Sequence, residues 1–238
     1  MAALNIISAG AAKSIVNAVA GSEAVRERVQ VHARFGAVGA MLKEVESGCA
    51  CDVVILTDTL LNRLIDQGEV RLDSMIDIGH VRTGIAVHCD RGPQDAMAQA
   101  DLRTCLLSAD RILCPDPAVA SAGRMLMRAI EAVDILDQVQ GKLVFFSDGL
   151  GVVDGLSRCA DQNTVGVIQV SEIVACQHLS LMGVLPEDPD EKIVYSIAIS
   201  NGTENRVEAE RFVQALLEDK QRLLRYGFIP SGPLVSAV

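Results

Sequence analysis

The chain has 238 residues, half of them apolar and only 3% aromatic with no Trp, so any core is built from Ala, Val, Ile and Leu. That mixture suits buried strands covered by helices. A net charge of −10, from 31 acidic against 21 basic residues, speaks against nucleic-acid binding, which rests on neutralising phosphates; an anionic ligand would need donors placed locally, against the overall field.

Taken in chain order, Leu4–Ser8 reads as a strand entering Ala-Gly-Ala-Ala, followed by helical periodicity through Ala20. Arg28–Ala33 reads as a strand, Val38–Ser47 as a helix, Asp52–Leu56 as a buried strand and Leu60–Gln67 as a helix. Gly84–Cys89 is a further strand; helices Leu102–Ser108 and Gly123–Val133 flank the strand Arg111–Cys114. Leu143–Phe146, Val165–Val170 and Ile193–Ile199 read as strands, Asp148-Gly149-Leu150-Gly151 as a turn, and Arg206–Tyr226 as one long amphipathic helix ended by Gly227. Strands and helices alternating at these lengths imply parallel sheets with right-handed crossovers. With no long linker, two lobes would have to be joined by crossing strands, expected near Arg82–His88 and Tyr195–Ile199.

The seven cysteines, at 49, 51, 89, 105, 114, 159 and 176, are odd in number and scattered through apolar runs. They read as reduced core thiols, which favours a reducing compartment. Cys49-Ala-Cys51 lacks the spacer of redox and zinc motifs, and His32, His80, His88 and His178 are dispersed. The sequence therefore suggests no metal site and no cofactor. No basic leader opens the chain and no run reaches the ~20 apolar residues of a membrane helix. This reads as a cytoplasmic protein without membrane insertion, or a periplasmic one if a leader has been cleaved from it. Nucleophile-elbow, phosphate-loop and dinucleotide motifs are missing, which removes hydrolase, kinase and dehydrogenase readings.

Several segments resemble the molybdate-binding proteins of bacterial ABC transporters. These are Ile7-Ser8-Ala9-Gly10-Ala11, Phe35-Gly36-Ala37-Val38-Gly39, Leu42–Gly48 running into Cys51–Ile55, Ser121-Ala122-Gly123 after Asp116-Pro117, Val165–Ile168 before Ser171-Glu172, Leu185-Pro186-Glu187-Asp188, and Arg225-Tyr226-Gly227-Phe228. The resemblance implies an α/β fold of the type 2 periplasmic-binding-protein kind. It has two Rossmann-like lobes with mixed sheets joined by two hinge strands: lobe 1 from residues 1–82 and 198–238, lobe 2 from 83–197, and a ligand cleft between them. It also implies an anion held by hydroxyls and backbone N–H groups, which carries over to the backbone of Ala122, Ile168 and Tyr195; Ser8, Ala9, Gly10, Gly36 and Ser121 in the same segments, and Thr83 on the presumed hinge strand, are further candidates to line the cleft. Two hydroxyl positions of the family fall here on Ala11 and on Val38 or Gly39. Each lost hydrogen bond to a charged ligand costs about 1.5–3 kcal/mol.

That departure favours a larger organic anion over molybdate. A di- or tricarboxylate would call for cations, and Lys13, Arg34, Arg82 and Arg124 are placed to serve; Arg34→Ala is expected to weaken its binding. The resemblance extends to a branch that isomerises aconitate, for which Lys13, Ser171, Glu172, Tyr195 and His88 are candidates for the proton transfers. The alternative reading is the substrate-binding protein of a molybdate-type ABC importer, with its permease as partner, or a cytoplasmic sensor of a small anion.

Overall fold

A computed structural model describes residues 2–91, 101–159, 163–186 and 192–230; Glu187 and Asp188 of the quoted segment lie outside them. The chain divides into two compact units, Met1–Val81 with Ile193–Val238, and Arg82–Lys192. The second boundary thus precedes the expected 197/198, and the strand Val194–Ile199 belongs wholly to the first unit.

The first unit carries a five-stranded sheet built from β1 (Ala2–Ala9), β2 (Val29–Gly36), β3 (Val53–Thr57), β4 (Ile76–His80) and β10 (Val194–Ile199), in the order β2-β1-β3-β10-β4. β1, β2 and β3 are parallel, while β10 runs antiparallel to both β3 and β4. Its helices are α1 (Lys13–Ala20), α2 (Glu23–Arg26), α3 (Val38–Glu46) and α4 (Asp58–Asp66), with α10 (Arg206–Leu217) and α11 (Lys220–Arg225) from the end of the chain.

The second unit repeats the plan with β5 (Thr83–His88), β6 (Arg111–Pro115), β7 (Leu143–Phe146), β8 (Thr164–Gln169) and β9 (Leu179–Val184), in the order β7-β6-β8-β5-β9. Here β6, β7 and β8 are parallel and β5 is the antiparallel strand. Its helices are α5 (Leu102–Ser108), α6 (Ser121–Ala132), α7 (Leu136–Val139), α8 (Gly149–Ser157) and α9 (Val170–Val174).

The apolar runs of the second sheet are nearly continuous because both faces are covered, and parity sorts them. Ile85, Val87, Ile112, Cys114, Val165 and Val167 pack in one buried cluster. Ala86, Leu113 and Ile168, which neighbour these along the strands, pack in another with Val152, Leu156 and Ile173. The first unit buries Leu4, Ile6, Ile7, Val53 to Leu56, Phe212 and Phe228 in a single cluster.

Two expected elements change on inspection. The stretch expected as one helix over Arg206–Tyr226 is two, because the Asp219 carboxylate accepts from the Arg222 N–H at 2.9 Å and starts α11; an aspartate that caps a first turn competes with continuing the helix before it. Gly227, at φ +80°, ends α11 as expected. The expected turn at Asp148–Gly151 is also a helix start, since Asp148 accepts from the Gly151 N–H at 2.8 Å and caps α8.

All seven cysteines are free thiols. Cys51, Cys105 and Cys114 are buried as expected, whereas Cys49, Cys89, Cys159 and Cys176 are only half-buried; burial pushes the thiols of Cys51 and Cys114 up to about 11 and about 12. Among the described residues no helix is long and apolar enough to cross a membrane.

Candidate anion site

In open α/β sheets, ligands gather at the carboxyl ends of the strands, where helices begin. A helix start presents N–H groups with no partner inside the helix, and its dipole favours negative charge.

In the first unit that end is formed by Ala9, Gly36 and Thr57, with Tyr195 at the start of the antiparallel strand; Ala9 is paired with Gly36 and Thr57 with Tyr195. Three helices leave it: α1 through the 3-10 turn Gly10–Ala12, α3 after Ala37, and α4 after Thr57. No side chain caps any of the three. The residues expected to line it therefore meet here: Ser8, Ala9, Gly10, Ala11, Gly36, Val38 and Gly39. The hydroxyl contribution is small, because Ser8 is fully buried and donates to the Ala9 carbonyl at 3.0 Å. Lys13 opens α1 half-buried. The Tyr195 ring is buried edge-on against Phe228, with centroids 6.1 Å apart, so Tyr195 packs the core.

Arg34 sits on β2 two residues before this end. Its Nε lies 3.3 Å from Glu44 Oε2, and its Nη1 faces Cys49 Sγ at 3.6 Å. The guanidinium is thus half exposed and paired with Glu44 beside the edge strand.

The second unit is better supplied. Its carboxyl end consists of Pro115, Phe146 and Gln169, with Thr83 of β5 paired to Gln169. α6, α8 and α9 all start there. No side chain caps α6, so the first-turn N–H groups around Ser121 and Ala122 point out of the helix end. This tight start depends on Gly123: a methyl group there would overlap the Pro115 carbonyl and the ring of Pro117. Arg124 is exposed and donates to the Ser121 hydroxyl at 3.2 Å.

Beside this helix start lie three buried side chains with atoms that find no partner within the described residues: Thr83 Oγ1, Gln169 Nε2 and Ser171 Oγ. Thr83, Gln169 and Ser171 are 2%, 3% and 1% exposed. An unmade hydrogen bond at a buried polar group costs about 1–3 kcal/mol, so three at one sheet end form an unusual cluster. Arg82 precedes Thr83, and its carbonyl accepts from the Val170 N–H at 2.8 Å. Ile168 lies inside the sheet, fully buried and paired with Gly84.

Glu172 completes this corner. Its carboxylate accepts from the Gln169 N–H at 3.2 Å and lies against Gly149 at the start of α8. Burial pushes its pKa up to about 7; the Gln169 N–H opposes the shift and the nearby Asp148 charge adds to it. His88 is not part of the corner. It ends β5, five residues or about 17 Å of strand from Thr83, and the structure does not bring it to Ser171 or Glu172.

Gln169 is the lining residue that sequence reasoning missed. The signal available was a lone amide ending an apolar strand, Val165-Gly166-Val167-Ile168-Gln169, directly before a helix start.

Two α/β units, each with helix starts gathered at the carboxyl ends of its parallel strands, define a small-ligand-binding protein. Residues 4–229 match the family described as bacterial extracellular solute-binding protein, and the chain belongs to that family. It is 23% identical over 235 residues to the molybdate-binding protein of Escherichia coli (strain K12), covering 93% of this chain and 88% of that one. The periplasmic molybdate-binding protein of Azotobacter vinelandii superposes with a TM-score of 0.78 at 17% identity, over 96% of this chain and 100% of the other. The sulfate-binding protein of Mycobacterium tuberculosis H37Rv gives a TM-score of 0.70 at 16% identity, over 98% and 88%. These likenesses establish the type 2 periplasmic-binding-protein fold expected from the sequence.

Proposed function

We propose that this chain is the substrate-binding protein of an ABC importer and takes a tetrahedral oxyanion of the molybdate class. The observation that carries the reading is the trio Thr83 Oγ1, Gln169 Nε2 and Ser171 Oγ, buried and without a partner among the described residues, at the sheet end where the uncapped α6 starts; the Gln169 side chain also joins Glu172 in a capping box. Neutral hydroxyl, amide and backbone donors suit an oxyanion whose charge is spread over several oxygens. A di- or tricarboxylate calls for bidentate cations, and of the four expected to serve, Arg34 pairs with Glu44 and faces Cys49. The relatives named for molybdate and sulfate support the same ligand class.

This reverses the preference drawn from the sequence. The hydroxyls missing at Ala11 and at Val38 or Gly39 suggested a carboxylate ligand and an aconitate-type isomerase. The second unit, however, has hydroxyls at Thr83 and Ser171 that the sequence did not assign as unpaired, and membership of a solute-binding family favours uptake over chemistry.

The test is thermal stabilisation and calorimetry with molybdate, tungstate, sulfate, citrate and trans-aconitate. Ligand binding raises stability as concentration exceeds the dissociation constant. Molybdate or tungstate is expected to raise the melting temperature, and Gln169→Ala and Ser171→Ala should each weaken binding about tenfold or more. No response to any oxyanion, or conversion of trans-aconitate to its cis isomer, would overturn the reading.

A further inference from the structure

We infer that the second unit carries a transition-metal site of the Zn2+ class, formed by His88, Cys89, Asp90 and His178. The donor atoms of His88, Cys89 and His178 all lie within 4.8 Å of one another. Asp90 adds a carboxylate: its Oδ2 is 3.6 Å from His88 Nδ1, and its Oδ1 is 3.8 Å from Cys89 Sγ.

The backbone fixes the two segments that supply these groups. His88, the last residue of β5, is paired with Leu179, the first of β9, and the Cys89 N–H donates to the His178 carbonyl at 2.8 Å. The imidazoles of His88 and His178 stand nearly parallel, with centroids 6.3 Å apart and planes at 16°.

A tetrahedral zinc ion has Zn–S and Zn–N distances of about 2.3 and 2.0–2.1 Å, which puts its ligand atoms ~3.3–3.8 Å apart. The contacts of Asp90 fall in that range. The donors of His88, Cys89 and His178 would close in from within 4.8 Å, and His178 and Asp90 are exposed while His88 and Cys89 are half-buried.

The donor set selects the metal. One thiolate, two imidazoles and one carboxylate suit Zn2+ and its neighbours, whereas Mg2+ and Ca2+ demand oxygen ligands. Binding displaces the thiol proton to solvent. The site stands at the far end of β5 from Thr83 and so is separate from the proposed oxyanion site. Its effect is to tie the end of β5 to the segment entering β9, the edge strand of the sheet. The sequence hid it because three of the ligands are consecutive and the fourth lies nearly ninety residues away, outside any spacing motif.

The experiment uses the full chain without an affinity tag, stripped of metal and titrated with Co2+ and then Zn2+. One Co2+ per chain is expected to produce visible d–d bands of tetrahedral intensity and a thiolate-to-cobalt charge-transfer band that Zn2+ abolishes. Cys89→Ser should remove the charge-transfer band, His178→Ala should weaken Zn2+ binding at least tenfold, and Cys49→Ser should change neither. Zn2+ should raise the melting temperature of the native chain more than that of His178→Ala at the same concentration. The molybdate response of His178→Ala should match that of the native chain, so the two proposals fail separately. A charge-transfer band absent from the native chain, or surviving in Cys89→Ser, would overturn the inference.

Discussion

The carboxyl group of Glu172 rests directly on the backbone of Gly149. A methyl group at that glycine would overlap both carboxylate oxygens, so the absence of a side chain at the start of α8 is what makes room for the acid. A buried carboxyl is thus packed onto the helix start beside its own cap, Asp148, and is protonated up to about pH 7.

The first prediction concerns pH. Glu172 holds its proton more tightly in the folded chain than the ordinary carboxyl value of 4.5, so folding costs nothing extra below that pH. Stability is then lost as pH rises from there through about 7, because the unfolded state binds fewer protons. Above pH 7 the charge costs about 3 kcal/mol. Glu172→Gln should therefore melt higher than the native chain at pH 8 and nearly with it at pH 5. Equal melting curves at pH 8 would contradict the burial argument.

Gly149→Ala should destabilise the second unit by about 1–3 kcal/mol through overpacking. The loss should shrink when Glu172→Ala is added, since the clash involves one pair of neighbours. Urea denaturation of the two single variants and the double variant measures the coupling; strict additivity would place the cost elsewhere.

Asp52 predicts a larger effect in the first unit. Its carboxylate accepts from the Asn5 N–H at 2.7 Å, the Thr203 hydroxyl at 2.5 Å and the Asn205 amide at 3.3 Å, tying β1 and β3 to the turn before α10. Asp52→Ala leaves these donors unmet and should cost about 2–4 kcal/mol. A melting temperature unchanged by the substitution would show that water replaces the carboxylate without loss.

Arg34→Ala should now leave oxyanion affinity within about twofold and stability within about 1 kcal/mol, as for an exposed ion pair. The expectation from the sequence concerned a carboxylate, whose binding the same substitution was to weaken; for an oxyanion little change is expected, because Arg34 pairs with Glu44. A strong loss of oxyanion binding would return Arg34 to the site.

Most of the fold was legible because buried strands and amphipathic helices announce themselves by composition and period. Leu102–Ser108 and Leu143–Phe146 match the structure residue for residue. What escaped lies at the margins. β4, Ile76-Asp77-Ile78-Gly79-His80, and β9 are edge strands with half-exposed faces and weak apolar signals. The candidate site was half legible. The helix-start glycines and alanines stood out as motifs, and Ser171, Glu172 and Thr83 were singled out. Whether a hydroxyl is paired, or an arginine already engaged, depends on residues distant in sequence, as with Arg34 and Glu44. Gln169 carried a signal in the sequence, but its place beside Thr83 came from the pairing of β5 with β8.

The insertion of β10 between β3 and β4 has a consequence for synthesis. Every other strand of that sheet has emerged before Val81, yet its fourth strand in spatial order arrives only after the whole second unit has been translated. Until Ile199 leaves the ribosome, β3 and β4 each present an open backbone edge to the cell, the kind of edge that recruits foreign strands. The second unit, continuous in the chain, has no such wait. The nascent protein should therefore be most prone to aggregation in the interval when one half is finished and the other is still missing its central seam.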